Sequence, residues 1–294
     1  MNSRRRDGVL VTTYDGQGRV IDWLYGSGLG RVVLWTLIRP WVSRMVGWFL
    51  DRPVSRHLVG PFVQKNRLDL SDYPERAYRS FNDFFTRTIR PECRPMDMDP
   101  RHLIAPCDGK LTALPIWPGS RFVVKGVSYT LEELLRDDAL ARRYREGTML
   151  LFRLTVDDYH RYCYPADGKP GREIRVPGVY HTVNPRAAAA RPIYRENTRE
   201  YVSIETYCFG TLLMMEVGAL LVGRIQNHTP GDMVRRGEEK GLFEFGGSTV
   251  IVLLEKGFAQ IDPDILKNSG AGEETLVKMG ERIGAVQEPA GPVV

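Results

Sequence analysis

Short apolar segments rich in β-branched and aromatic residues follow one another beyond residue 95, and they restrict the fold more than any other feature. Turn-forming residues separate them, which is the pattern of strands joined by short connections. The segments are residues 103–105, 110–116, 122–125, 148–154, 173–176, 201–207, 211–225, 249–254 and 279–286. One helix should interrupt them, because Thr130 and Glu133 form a capping box ahead of apolar residues that reach Tyr144. The pattern predicts an α+β fold with a β-rich core like a barrel or a sandwich.

Length and composition indicate one large domain, or one domain preceded by an N-terminal attachment. The chain has 294 residues, and its hydrophobic share of 43% excludes a disordered protein and allows a sizeable core. A short helix should begin at Ser80 and end before Pro91 and Pro95. We therefore predict a helical, membrane-associating region over residues 1–95 and the β-rich core over residues 96–294.

Residues 29–63 carry apolar side chains, among them three tryptophans, interleaved with charged ones. The charged residues that interrupt the apolar ones include Arg31, Arg39, Arg44 and Asp51. They rule out an apolar span of about 20 residues. Tryptophan interleaved with arginine instead favours an amphipathic helix in the headgroup layer, broken or restarted at Pro40. The alternative is a helix that packs on the core while its arginine side chains reach solvent.

The charge and the cysteines limit partners and compartment. A net charge of +5 suits an anionic membrane surface, and no nucleic-acid-binding motif accompanies it. The four cysteines show no CxxC pair and no disulfide framework, which favours a reducing cytoplasm. No apolar run of signal-peptide length follows the basic residues 4–6. We expect a peripheral protein on the cytoplasmic side of the cell membrane.

Two glycines precede Ser248, and an apolar strand follows it. Glycines allow tight, strained backbone conformations that other residues avoid. In such a turn the Ser248 hydroxyl can attack the unshielded carbonyl of Gly247. An N-to-O acyl shift, β-elimination and hydrolysis would then leave a pyruvoyl ketone at residue 248, which amines can capture. The alternative interpretation is an ordinary hairpin turn.

Three further clusters could assist Ser248. Asp108 lies in an Asp-Gly turn between two predicted strands, although such a turn is commonly structural. His160 and Cys163 follow an apolar strand in an acid-rich segment, and His228 follows another strand. A metal hydrolase using His160, Cys163, Asp158 and His181 is possible from the ligand types, but His-x-x-Cys is only half a site.

Seven of these motifs, in this order, resemble the phosphatidylserine decarboxylase family. They are residues 81–85 with Arg94-Pro95, residues 106–109, residues 124–126 with Tyr129 and Leu131, residues 158–161, residues 182–184, residues 217–219 with Val222-Gly223, and residues 247–249. Ordered matches over most of the chain are much more specific than any single motif.

The resemblance implies self-cleavage between Gly247 and Ser248 into a large chain, 1–247, and a small chain, 248–294. The small chain would begin with a covalent pyruvoyl group derived from Ser248. The implied activity is decarboxylation of phosphatidylserine to phosphatidylethanolamine, with no metal and no soluble cofactor. The implied partners are phosphatidylserine, the anionic membrane surface, the two chains of one precursor, and a second copy in a possible homodimer.

The resemblance also implies an Asp-His-Ser relay in which Asp108 and Ser248 match the family pattern. His160 matches the first histidine of its His-x-x-His motif, but Cys163 replaces the second. The base could be His160, Cys163 or His228; we favour His160, because an ordinary thiol is mostly protonated at neutral pH. The alternative functions are a pyruvoyl decarboxylase of another amino-headgroup lipid or of a soluble amino acid, and a non-catalytic membrane-binding module.

Overall fold

Two short strands and a group of helices form the first third of the chain. The computed structural model describes residues 2–12, 18–124, 127–220, 224–244 and 248–287. The first elements are β1 (Asn2–Arg4), β2 (Leu10–Thr12), α1 (Gly18–Gly26), α2 (Gly28–Leu37), α3 (Pro40–Leu50), α4 (Val59–Asn66) and α5 (Phe81–Phe85), with 3-10 turns at Pro53–Leu58 and Pro91–Cys93. The Ser27 side chain caps α2 by accepting from the backbone N–H of Gly30 at 2.9 Å.

Strands dominate the rest of the chain. They are β3 (His102–Ile104), β4 (Gly109–Pro115), β5 (Arg121–Val124), β6 (Val127–Thr130), β7 (Thr148–Leu154), β8 (Arg161–Cys163), β9 (Gly168–Pro170), β10 (Ile174–Val176), β11 (Arg199–Thr206), β12 (Thr211–Val217), β13 (Ile225–Asn227), β14 (Glu239–Phe243), β15 (Ser248–Leu254), β16 (Ala259–Ile261), β17 (Glu274–Val277) and β18 (Arg282–Val286). The helices among them are α6 (Leu131–Leu135), α7 (Asp138–Arg143), α8 (Pro185–Ala190), α9 (Ile193–Glu196) and α10 (Pro263–Gly270).

A large sheet organises the molecule. Its strands run in the order β10-β11-β12-β15-β7-β4-β17-β1-β2, and β9 also pairs with β11. The central strands β12, β15, β7 and β4 are antiparallel to their neighbours. Of the described strand pairs, β1 with β17 is parallel, so the N-terminus joins the sheet beside the last third of the chain. Strand β15, which begins at Ser248, lies near the middle of this sheet.

Both faces of the large sheet are buried, which explains why its central strands are almost wholly apolar. On one face Val250 and Leu154 pack with Tyr162 and Phe243 of the small sheet β13-β14-β8. Ile283 of the second small sheet, β16-β18-β3, joins the same core. The other face is covered by α6, α7, α9 and the β5-β6 hairpin. Ser248 is on the face covered by the small sheets, because side chains alternate along β15.

The α+β class is confirmed, but the barrel expectation is wrong for the part of the chain that the structure describes. The large sheet is open and ends in separate edge strands, β10 and β2. The small sheets on one face add a layer of the kind found in a sandwich. Closure depends on which strands pair across the fold, and alternation within a strand carries no information about that pairing.

The predicted single helix over 130–144 is two helices. The Thr130–Glu133 capping box is confirmed. Arg136 then adopts a left-handed backbone with φ of 54°, which ends α6, and the Asp137 side chain caps α7. The expectation of a single helix in this half of the chain is also wrong, since α8, α9 and α10 form as well. Predicted strand 211–225 ends at Val217 as β12; residues 221–223, like Lys125, lie outside the described residues.

The N-terminal helices pack on the core with one face and expose the other. Leu34 of α2 is buried with Val179 and Leu220, and Leu50 of α3 is buried with the phenylalanines of α5. The outer faces expose Trp35, Trp41, Met45 and Trp48. Across the described ranges, the helices are all too short or too polar to cross a bilayer.

Candidate active site

Three neighbouring central strands, β15, β7 and β4, bring the predicted residues to the same end of the large sheet, where β15 and β4 begin and β7 ends. Ser248 at the start of β15 pairs with Leu154 at the end of β7. On the other side of β7, Lys110 pairs with Arg153, so Gly109 at the start of β4 lies beside Leu154. A Cβ at Gly109 would lie 3.1 Å from the Arg153 carbonyl oxygen, so glycine permits this close approach. The Asp108 and Ser248 backbones are therefore two strand spacings apart, about 10 Å.

Ser248 is completely buried. Among the described residues, its Oγ has no hydrogen-bond partner. A buried hydroxyl without a partner is costly, and such groups are concentrated at functional sites. The predicted strained turn at Gly246 and Gly247 lies outside the described residues.

Asp108 is held in a buried ion pair. Its carboxylate accepts from Arg94 Nε at 2.9 Å and from the Met279 backbone N–H at 2.9 Å. Arg94 also donates to Asp72 at 3.0 Å. Arg94-Pro95 belongs to the family-like motif, but the sequence assigned Arg94 no role; the arginine holds the Asp108 carboxylate in position.

His160 lies on the loop that follows β7, at the same end of the large sheet as Ser248. Its Nδ1 is 2.8 Å from the Asp158 carbonyl oxygen, which can only accept, so Nδ1 carries the hydrogen in the neutral ring and Nε2 carries the lone pair. The ring packs on Phe85, with centroids 4.2 Å apart. The Phe243 backbone N–H donates to the His160 carbonyl at 2.9 Å, which ties the loop to the strand that leads to Ser248.

Lys110 fixes the same loop, and no sequence motif had indicated this residue. Its buried Nζ lies 2.8 Å from the Asp158 carboxylate. Burial alone would raise the pKa of Asp158, but the attraction of Lys110 and hydrogen bonds from Thr155 outweigh burial and lower it. A lysine directly after an Asp-Gly turn, pointing inward on a buried strand, is the sequence signal that could have indicated an ion pair here.

Cys163 lies farther along the same segment. It pairs with Glu239 at the start of β14, whereas His160 pairs with Phe243 at the end nearer Ser248. Burial raises the pKa of the Cys163 thiol to about 12, so the thiol is protonated at neutral pH.

His228 is at the other end of the small sheet. Its side chain is 52% exposed, and Nε2 lies 2.8 Å from the Glu239 carboxylate. The structure therefore brings Asp108, His160 and Ser248 to the same end of the large sheet. His228 instead lies beside Glu239, which precedes Ser248 by nine residues.

Among the residues that the structure describes, no three histidine, cysteine or carboxylate side chains converge as metal ligands. His181, which the metal-hydrolase alternative invoked, contacts Tyr25 and Glu196 instead, at 3.0 and 3.1 Å. Burial and nearby Arg191 lower the pKa of His181 to about 4.

Comparison with known proteins identifies the family. Residues 81–285 match the family model described as phosphatidylserine decarboxylase. Phosphatidylserine decarboxylase proenzyme 2 of Clostridium acetobutylicum is 41% identical over 269 residues, covering 91% of this chain and 92% of the relative. The proenzyme of Fusobacterium nucleatum subsp. nucleatum is 37% identical over 275 residues, covering 92% and 91%. That of Ruminiclostridium cellulolyticum is 38% identical over 273 residues, covering 91% of each chain. The chain therefore belongs to the phosphatidylserine decarboxylase family.

Proposed function

We propose that this protein decarboxylates phosphatidylserine to phosphatidylethanolamine after it cleaves itself between Gly247 and Ser248. The observation that carries the proposal is the buried Ser248 hydroxyl, which has no hydrogen-bond partner within the described residues. It lies at the end of the large sheet where Asp108 and His160 also lie. Membership of a family whose curated relatives are named phosphatidylserine decarboxylase proenzymes supports both the substrate and the precursor form.

Self-cleavage requires a nucleophile and a base. Ser248 Oγ attacks the Gly247 carbonyl carbon while His160 Nε2 takes the hydroxyl proton, and the acyl group moves from nitrogen to oxygen. Removal of the residue 248 Cα proton then expels the Gly247 carboxylate. Hydrolysis of the remaining dehydroalanine consumes one water and releases ammonia, which leaves a ketone at residue 248.

The surroundings of Ser248 fit such a pyruvoyl group. Ser248 Oγ leaves with the Gly247 carboxylate and the side chain becomes a methyl group, which breaks no hydrogen bond to the described residues, because Oγ makes none there. When present, the ketone supplies an electrophile for an amine and an electron sink for the carbon–carbon bond that breaks. Phe85 and Phe243 are completely or almost completely buried beside His160 and help to exclude water. We assign to His160 Nε2 the proton that replaces carbon dioxide on the product.

We propose that the protein works on an anionic membrane surface, at the cytoplasmic side of the cell membrane. The exposed tryptophans of α2 and α3 support this, and Arg39 and Arg52 stack on Trp35 and Trp48 at 4.2 and 4.5 Å. A cleft of about 760 Å³ lies between α2 and the core. Arginine side chains line it from both sides, and their positive charge would suit a lipid phosphate. A homodimer is part of the proposal, and sedimentation of the detergent-solubilised protein would test it.

Intact-mass analysis tests the cleavage. The purified protein should contain two polypeptides divided between Gly247 and Ser248, the smaller with a ketone in place of its amino group. The Ser248→Ala variant should stay whole and should not decarboxylate phosphatidylserine. Cleavage of that variant at the same bond would show that Ser248 is not the nucleophile.

A second candidate is the decarboxylation of a different amine substrate by the same pyruvoyl chemistry. A ketone at residue 248 would require only a primary amine, which another amino-headgroup lipid or a soluble amino acid also provides. Assays with phosphatidylserine and free serine separate these substrates, and we expect turnover of the lipid only, because the exposed tryptophans favour a membrane-bound substrate.

A further inference from the structure

A charged residue interrupts an otherwise apolar strand next to Ser248. In β12, Leu212 and Met214 face the same core as Val250, so alternation places Glu216 on that face too. Glu216 pairs directly with Val250, and Ser248 is two residues along β15 on the same face. Such diagonal neighbours lie about 7–8 Å apart, within reach of a glutamate side chain. Glu216 is therefore a neighbour of the reacting residue.

Glu216 is completely buried, and within the described residues only one of its two carboxylate oxygens accepts hydrogen bonds. Its Oε2 accepts from Lys240 Nζ at 2.7 Å and from Asn227 Nδ2 at 3.3 Å. Its Oε1 has no hydrogen-bond partner among the described residues, and the same is true of Ser248 Oγ. Ser248 Oγ is lost in self-cleavage, whereas Glu216 Oε1 stays, and a buried carboxylate oxygen without a donor indicates that a donor arrives with a ligand.

The charges around Glu216 favour a cationic donor. The described groups around it are Lys240, Asn227, Glu173, Glu200, the Cys107 thiol and the hydroxyls of Tyr162 and Tyr164. Lys240 is the one cation in this group, and it lies between Glu216 and Glu173 at 2.7 and 3.4 Å. Arg175 lies at the periphery of this group, 3.5 Å from the Glu200 carboxylate. Within this group, carboxylates therefore outnumber cations around Glu216.

We propose, resting on the function proposed above, that Glu216 Oε1 binds the primary ammonium group of the substrate and accepts one proton from it. The ammonium becomes a neutral amine and the Glu216 carboxylate becomes a carboxylic acid, so charge and protons balance. An amine must lose this proton before its lone pair can attack a ketone. Glu216 is thus a catalytic residue for substrate activation, while His160 acts on Ser248 and on the product.

The environment of Glu216 suits this exchange. Burial raises the pKa of the Glu216 carboxyl, although Lys240 opposes the shift. A raised pKa makes the carboxylate a better proton acceptor than an exposed glutamate. Because the carboxylate form is required, kcat/KM should fall as pH decreases through this raised pKa.

The test compares Glu216→Gln with Glu274→Gln in the mature enzyme. Glu274 is an equally buried glutamate that pairs with Arg153 at 2.6 Å on the opposite face of the sheet, so its variant controls for the loss of a buried ion pair. Intact mass is measured first, and both variants should be cleaved. Calorimetry then measures the affinity for dihexanoyl phosphatidylethanolamine, whose primary ammonium matches the substrate, and for its N-acetylated form, which has no ammonium.

We expect Glu216→Gln to weaken binding of phosphatidylethanolamine at least tenfold and to leave binding of the N-acetylated lipid unchanged. Glu274→Gln should change neither affinity more than about twofold. The decline of kcat/KM at low pH should disappear in Glu216→Gln. If Glu216→Gln folds poorly, Glu216→Asp keeps the charge but withdraws it by one methylene, and the same selective loss of affinity is expected.

Equal affinities of Glu216→Gln and wild type for phosphatidylethanolamine would overturn the proposal. So would loss of cleavage in Glu216→Gln alone, since Glu216 would then serve self-cleavage. Failure of the wild type to cleave or to decarboxylate phosphatidylserine would instead refute the proposed function, so the two failures are distinguishable.

Discussion

At the scale of single residues, the replacement of a histidine by Cys163 makes the identity of the base the sharpest question. We expect His160→Ala to slow self-cleavage at least about 100-fold, because it removes the general base. Cys163→Ser should cleave nearly normally, since the buried thiol has a pKa of about 12 and is protonated at neutral pH. Intact mass against time measures both rates. Complete cleavage of His160→Ala, or failure of Cys163→Ser that Cys163→His repairs, would transfer the role to the cysteine position.

Asp108 is the second single-residue test. Asp108→Asn leaves Arg94 without its buried carboxylate, so we expect slower cleavage and a loss of stability of about 3 kcal/mol. Asp72→Asn removes the more exposed carboxylate from the same arginine and is the matched control, with cleavage expected to be unchanged. Thermal unfolding and intact mass provide the measurements. Normal cleavage in Asp108→Asn would exclude the aspartate from the reaction.

At the scale of elements, α2 and α3 carry the membrane prediction. Replacing Arg31, Arg39 and Arg44 with Gln should release most of the protein from phosphatidylglycerol vesicles, because each basic side chain contributes about 1 kcal/mol at an anionic surface. The matched control replaces exposed arginines of the core at Arg121, Arg172 and Arg235. Sedimentation with vesicles measures binding, and alkaline buffer should extract the wild type without detergent. Equal binding of the two triple variants would exclude a specific role for these helices.

At the scale of the whole molecule, the large sheet would hold the two chains together after the proposed cleavage. Residues 248–294 supply β15 to the middle of the sheet and β17 to its β4 side, and both strands are hydrogen-bonded to strands that precede residue 248. We expect the two mature chains to elute together in gel filtration without denaturant and to unfold in one transition. Separation of the chains under native conditions would contradict this arrangement.

Local patterns were sufficient for part of this protein. The apolar strands 148–154 and 249–254 were predicted within one residue, and the Thr130 capping box was predicted correctly, because continuous apolar runs and capping residues depend on neighbours along the chain. Short strands such as β8 and β14 were missed, since three to five mixed residues become a strand only through pairing with distant partners. The motifs pointed to Ser248, Asp108 and His160 without giving their mutual positions.

Residue types in a fixed order were sufficient to predict the α+β class and the family, and they pointed to Ser248 as the nucleophile that the proposed cleavage needs. Tertiary structure alone decided that the sheet is open, that Arg94 holds Asp108, and that Glu216 and Lys240 meet beside Ser248. Those contacts join residues far apart in the chain, and no spacing rule encodes them. A buried charge is stable only where the fold supplies its partner, so the role of a buried charged residue can be inferred only once the strand pairing is known.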